Sequence, residues 1–188
     1  MGVRGRAGEN PYPCSQHATK TPSPLRLVHY PYNPHAEDGQ GIGAHTDYEC
    51  FTLLKPTAPG LEVLNGAGEW IDGPVPGTFV VNIGDMLELW TNGAYVATSH
   101  RVCKVKEERY SFPLFFNVDY HTEVKPLPQF ASRDGKQRPA LRAGEHLFAQ
   151  TAQTFAYLRN RVEAGELALP DGSLEIGRFG QQALQKRA

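Results

Sequence analysis

Cysteine is scarce and unpatterned: Cys14, Cys50 and Cys103 are the only three, far apart, with no CxxC among them. An odd, dispersed set excludes a disulfide framework and a cysteine zinc site, and points to a reducing compartment. Long apolar runs are also missing. None approaches the roughly 20 residues that a spanning helix needs. The opening stretch MGVRGRAGENPYP is polar and rich in Gly and Pro, without the apolar core of a secretion signal. Net charge is -1, from 19 Lys+Arg and 20 Asp+Glu, so no basic field draws in nucleic acid or an anionic membrane. A length of 188 residues suits one domain. The expected setting is the cytoplasm, with no nucleic-acid or membrane partner, and the oligomeric state is open.

What the chain does contain is a series of short β-rich runs, each bounded by Gly, Pro, Asn or Asp. After a Pro-rich, irregular lead-in over residues 1–24 come LRLVHYP, GIGAH, FTLLK, LEVLN, EWIDG, TFVVNIG, MLELWT, SHRVCKV and RYSFPLFFNV. That gives about eight main strands without a helical period, the pattern of an antiparallel sandwich or barrel of jelly-roll type. The expected fold class is an all-β core with a flanking helix. The core spans residues 25–125 and a C-terminal extension spans 126–188. Within the extension, Phe148, Ala152, Phe155 and Val162 recur at helical spacing, predicting one amphipathic helix laid against the sheet. From Gly165 on, the chain is polar and reads as loosely ordered.

The motif that carries chemistry is His-Thr-Asp at 45–47. Side chains at i and i+2 of a strand share a face, so His45 and Asp47 can converge on one ion while Thr46 points away. His100, opening the SHRVCKV run, supplies a third ligand from another strand. Two imidazoles and one carboxylate suit ferrous iron and leave positions open for a co-substrate and dioxygen. Taken alone, HxD is equally well a capped turn. The other histidines, His17, His29, His35, His121 and His146, lack such partners and read as ordinary surface or core residues.

Arg109 and Ser111 repeat the i, i+2 relation on the last strand. A guanidinium fork pairs a carboxylate bidentately, and a serine hydroxyl adds a donor. A buried arginine without a partner is costly, so an inward Arg109 implies an anionic ligand. The competing reading places Arg109 in solvent with the charged KVKEERY turn. Pro113, Phe115 and Asn117 continue the inward alternation, making Phe115 a candidate substrate-pocket wall. Tyr30 is placed to offer a phenolic hydroxyl to the same carboxylate, though a core tyrosine is as ordinary a reading. Tyr48, Phe51, Leu53 and Phe115 suggest an aromatic-lined cavity, and core packing explains each of them equally well.

The segments LRLVHYPYNP, GIGAHTDYECFTLL, PGLEVLNGAGEW, FVVNIGDMLELWTNGAYVATSHRV and ERYSFPLFFNV, in that order, resemble the catalytic half of the 2-oxoglutarate/Fe(II) oxygenases related to isopenicillin N synthase. The resemblance runs from about Leu25 to Asp119 and continues weakly to about Val162. It implies a double-stranded β-helix, iron at His45, Asp47 and His100, and the distal carboxylate of 2-oxoglutarate at Arg109 and Ser111 assisted by Tyr30. The implied activity uses O2 to oxidise a C–H bond of a small organic substrate, with release of succinate and CO2. Two alternatives stand beside it: an isopenicillin N synthase-like Fe(II) oxidase that does not use 2-oxoglutarate, and a catalytically silent fragment, since family members usually carry a further N-terminal region.

Overall fold

The computed structural model describes residues 20–33, 41–73, 77–103, 107–130, 138–171 and 173. His17, His35 and most of the lead-in fall outside them, as does most of the chain after Asp171. Among the described residues ten strands form: β1 (Val28–Tyr30), β2 (Ile42–His45), β3 (Phe51–Pro56), β4 (Leu61–Leu64), β5 (Trp70–Asp72), β6 (Val80–Ile83), β7 (His100–Val102), β8 (Arg109–Phe116), β9 (Glu123–Val124) and β10 (Leu141–Arg142). Three α-helices accompany them among the described residues: α1 (Asp85–Trp90), α2 (Ala143–Thr154) and α3 (Ala156–Glu163).

One sheet has the order β1-β8-β3-β6 and the other β2-β7-β4-β5, and every pairing within them is antiparallel. Tyr30 and Leu54 from the first sheet pack with Leu61 and Val102 from the second in one buried cluster, so the sheets face each other. This is the jelly roll, or double-stranded β-helix, that the spacing of the runs predicts. Alternation sets the facing on β8: Arg109, Ser111 and Pro113 are buried while Tyr110 is exposed. A strand shifted by one residue would carry its whole inner set to solvent.

Two elements depart from expectation. MLELWT is not a strand: Met86, Leu89 and Trp90 are buried in the six-residue helix α1. Their spacing i, i+3, i+4 is helical, but over so short a run it cannot be told from alternation. Burying each side chain contributes roughly 1.5–3 kcal/mol. Together with Cys50, Val118, Val124, Leu141 and Ala143 they make a second core cluster. The C-terminal stripe is two helices rather than one. Phe155 adopts an extended conformation (φ -92°, ψ 119°) between α2 and α3, so its ring leaves the helical stripe.

Residues 20–24, counted with the lead-in on sequence, run beside β8. Pro24 O accepts the Phe115 amide at 3.1 Å. The Ser23 hydroxyl accepts the Asn117 amide at 3.0 Å, and Pro22 O accepts the Asn117 side-chain amide at 3.0 Å. Among the described residues no helix is long and apolar enough to cross a membrane.

Candidate metal and co-substrate site

His45 and His100 face each other as cross-strand partners of β2 and β7. Their ring centroids lie 4.4 Å apart. Asp47 follows β2 directly, with its Oδ1 at 4.0 Å from His45 Nε2 and 3.6 Å from His100 Nε2. One ligand atom from each of the three lies within 4.8 Å of the others. Both Nδ1 atoms are engaged by backbone carbonyls, His45 with Gly43 O at 2.7 Å and His100 with Thr98 O at 3.1 Å. A carbonyl accepts, so each Nδ1 donates, and Nε2 is left as the ring atom on the Asp47 side, the arrangement a metal-ligating histidine uses. Burial holds the His100 imidazole below its ordinary pKa, against the opposing pull of the Asp47 charge. An N,N,O donor set without thiolate fits a ferrous ion.

Helix α1 ties together the segments that bear Asp47 and His100. Its first amides, otherwise orphaned at a helix start, are satisfied by the ligand loop: Gly84 N donates to Cys50 O at 3.0 Å, Asp85 N to Asp47 O at 2.9 Å and Met86 N to Glu49 O at 3.2 Å. Gly84 permits this approach, because a Cβ there would stand 2.1 Å from Glu49 O. At the helix's other end, buried Glu88 accepts the Ala97 amide at 2.7 Å and Arg138 Nη1 at 3.0 Å. The segment leading into His100 is thereby fixed to the helix that holds Asp47. Asn82, buried on β6, reaches Asp47 Oδ2 at 3.4 Å and His100 Nε2 at 3.5 Å. None of Glu88, Gly84 and Asn82 was singled out on sequence; the readable signal was a polar residue inside an apolar run.

Arg109 is fully buried, and solvent does not claim it. It stands opposite Tyr30 in the β1–β8 register, its guanidinium carbon 4.8 Å from the Tyr30 ring centroid. Nε donates to Ala58 O at 3.2 Å, whereas Nη1 and Nη2 are buried without a hydrogen-bond partner. Burial lowers the Arg109 pKa and raises that of the Tyr30 hydroxyl. Two unpaired guanidinium donors in the interior cost free energy unless an anion meets them. A carboxylate supplies the matching pair of acceptors.

Tyr30, Ser111 and the three metal-type residues line one cavity of about 470 Å³, in the range that suits a small molecule. Phe115 and Tyr48 are in its wall. Phe51 instead stacks on Phe116 at 4.7 Å, and Leu53 pairs with Val81 and Leu114 on the sheet's other side. Thr46, expected to point away, also lines the cavity, and Asn117 holds the 22–23 segment rather than reaching it. Two charged residues in the wall were missed on sequence: Arg26 and Glu49. Burial, then the charge of Asp47, push the Glu49 carboxyl up to about 7. Of the histidines read as ordinary, His29 pairs with Glu108, and buried His146 on α2 lies 3.5 Å from buried Asp85 on α1, with neither ring nitrogen hydrogen-bonded.

The sequence profile of the 2OG-Fe(II) oxygenase superfamily matches residues 22–118. The chain is 41% identical over 147 residues to homoarginine-6-hydroxylase 2-ODD-C23 of Glycine max, covering 71% of this chain and 44% of that protein. It is 44% identical over 111 residues to the 2-oxoglutarate-Fe(II) type oxidoreductase hxnY of Emericella nidulans, covering 55% of this chain and 32% of that protein. Among solved structures, a full-length Neurospora crassa protein crystallised in complex with alpha-KG superposes with a TM-score of 0.62 at 32% identity, over 70% of this chain and 44% of that one. The chain thus spans less than half the length of each of these relatives. The matched stretch, which is more than half of the sequence and contains both the facing histidines and the buried Arg109, shows that this chain belongs to the 2OG-Fe(II) oxygenase superfamily.

Proposed function

We propose that the chain is the catalytic portion of an Fe(II)- and 2-oxoglutarate-dependent oxygenase acting on a small organic substrate. His45 Nε2, the Asp47 carboxylate and His100 Nε2 hold the iron. Arg109 and Ser111 hold the distal carboxylate of 2-oxoglutarate, with Tyr30 packed on the guanidinium. When bound, the metal couples oxidative decarboxylation of 2-oxoglutarate to oxidation of a substrate C–H bond, releasing succinate and CO2. The chain's own part is to present the two Nε2 atoms, to orient Asp47 through α1 and Asn82, and to keep Arg109 buried behind Tyr30 and Ser111, which line the cavity. The catalytic core is residues 25–125, with 126–188 as an extension that closes one side of the cavity through Thr151, Thr154 and Phe155. A cytoplasmic setting accords with the three scarce, dispersed cysteines of the sequence.

The observation that carries this reading is the pair of buried, unpartnered Arg109 Nη atoms on the same inner wall as Ser111. It favours a carboxylate-bearing ligand over a site served by metal alone. Relatives named as homoarginine-6-hydroxylases make L-homoarginine the first substrate to try. The test is succinate formation with Fe(II), 2-oxoglutarate and O2. Succinate that rises with substrate and stops without 2-oxoglutarate supports the reading. Oxygen uptake independent of 2-oxoglutarate replaces it with the oxidase alternative, and a chain that binds neither Fe(II) nor 2-oxoglutarate is a silent fragment.

A further inference from the structure

The cavity wall carries two opposite charges that have no part in holding metal or co-substrate. Arg26 lies at the exposed rim, its backbone fixed by donation of its amide to Pro113 O at 3.0 Å. Its guanidinium carbon is 5.3 Å from the Phe115 ring centroid and 6.0 Å from that of Phe155. Two aromatic faces steady a guanidinium by cation–π attraction while leaving its in-plane N–H edges free to donate. Phe155 reaches this position because the helical run breaks there, which the extended conformation between α2 and α3 accomplishes.

Glu49 is the other charge. It lies just past Asp47 in the turn after β2, lines the same cavity and is only 8% exposed. Arg26 lines the same cavity and is near enough for its charge to act on the Glu49 carboxyl. Yet among the described residues neither Arg26 nor Glu49 forms an ion pair, with the other or with any third group. A lone cation entering at Glu49 would be repelled by Arg26, and a lone anion at Arg26 by Glu49. A ligand end that carries both charges side by side relieves both residues at once.

We propose that Arg26 and Glu49 form a head-group clamp for a free α-amino acid, Arg26 taking the carboxylate and Glu49 the ammonium. The clamp rests on the oxygenase reading above, since it names the substrate class of that same site. The rest of the amino acid lies along the cavity that both residues share with His45, Asp47 and His100. The Phe115–Arg26–Phe155 stack sets the rim. Substrate choice then divides into a zwitterion read by the clamp and a side chain read by the remaining wall.

The test is direct binding, measured anaerobically by calorimetry on the Fe(II)-loaded chain with 2-oxoglutarate present. The probes are the common L-amino acids and L-homoarginine. The tightest of them is then compared with its Nα-acetyl derivative, which lacks the ammonium, and with its decarboxylated amine. The clamp predicts that at least one amino acid binds and that each truncated analogue binds roughly tenfold or more weakly. Arg26→Gln should erase the penalty for decarboxylation, and Glu49→Gln the penalty for acetylation. The analogue comparison on the unaltered chain decides the matter even where a variant misfolds. Equal affinity for the analogues, or binding of no amino acid at all, would overturn the clamp. Titrating 2-oxoglutarate alone separates the two proposals. If it binds and no amino acid does, the clamp fails and the co-substrate site stands; if it does not bind, the oxygenase reading itself fails.

Discussion

The Glu88 carboxylate accepts the Ala97 amide at 2.7 Å, so the helix that holds the Asp47 loop at its start also fixes the approach to His100. Its second oxygen pairs with Arg138 at 3.0 Å. Glu88→Ala orphans a buried amide and uncouples that arginine, with an expected loss of about 2–4 kcal/mol of stability. Because the loss falls on the lead into a metal-type residue, Fe(II) affinity should fall as well, by tenfold or more in order of magnitude. Glu88→Gln keeps an acceptor for Ala97 and should lie between. Denaturant unfolding and metal titration of the two variants check this. An alanine variant with both properties unchanged would show that α1 does not set the site.

Gly84 meets the ligand loop so closely that an added Cβ would lie 2.1 Å from Glu49 O and 3.2 Å from Asp47 O. Both are backbone atoms and cannot rotate away. Gly84→Ala is expected to cost about 3 kcal/mol, at or above the usual range for overpacking, and to weaken metal binding by displacing Asp47. Gly66→Ala is the control, since nothing lies within 4 Å of its added carbon. It should change stability by less than about 0.5 kcal/mol. Equal unfolding midpoints for the two variants would contradict the close-approach argument.

Arg109 separates function from stability. Without an anion its two Nη atoms are buried and unpartnered, so Arg109→Met should leave the ligand-free protein as stable as before or more so. The same change should raise the KM for 2-oxoglutarate by about 100-fold or more, through loss of a charge-assisted pair. Arg109→Lys should not rescue it, because an ammonium lacks the fork that meets both carboxylate oxygens. Thermal melts and 2-oxoglutarate saturation curves read the two effects separately. A destabilised Met variant with unaltered KM would place the anchor elsewhere.

Glu62 gives a pH dependence away from the site. Hydrogen bonds from Cys103 Sγ at 2.8 Å and from Arg101 Nε at 2.6 Å hold its carboxyl below the usual range. A depressed folded-state pKa contributes stability that is present above the unfolded value and is lost as pH falls through the folded one. Ligand-free protein should therefore lose stability below about pH 4.5, and Glu62→Gln should flatten that part of the curve. The pair is partly exposed, so the effect should stay below about 1 kcal/mol. Denaturant midpoints between pH 7 and pH 3 measure it; parallel curves for both proteins would refute the assignment.

Much of the site could be read before the fold was seen, for a physical reason. Arg109 and Ser111 lie two residues apart on β8, where period two turns sequence spacing directly into a shared face. Asp47, by contrast, lies past the end of β2 and converges with His45 through the turn that follows. The cross-strand meeting of His45 with His100 depends on register, which no local pattern encodes. Helix α1 was obscured because six residues carry too little period to outweigh an apolar, strand-like composition. Glu49, Glu88 and His146 were overlooked because a charged or titratable residue taken singly is ordinarily solvated. Their burial follows only from tertiary packing against α1 and the ligand loop. Phe155 fits a helical stripe on sequence, and only the backbone shows that the stripe ends there.

Anaerobic calorimetric titration of Fe(II) into the unaltered chain and into Asp47→Ala and His100→Ala bears most directly on the site. One ion per chain should bind the unaltered protein, and stoichiometric binding should vanish in both variants, since each removes a donor from a set whose atoms lie within 4.8 Å of one another. Stoichiometric Fe(II) binding retained at the original affinity in either variant would contradict the assignment of His45, Asp47 and His100 as the metal centre.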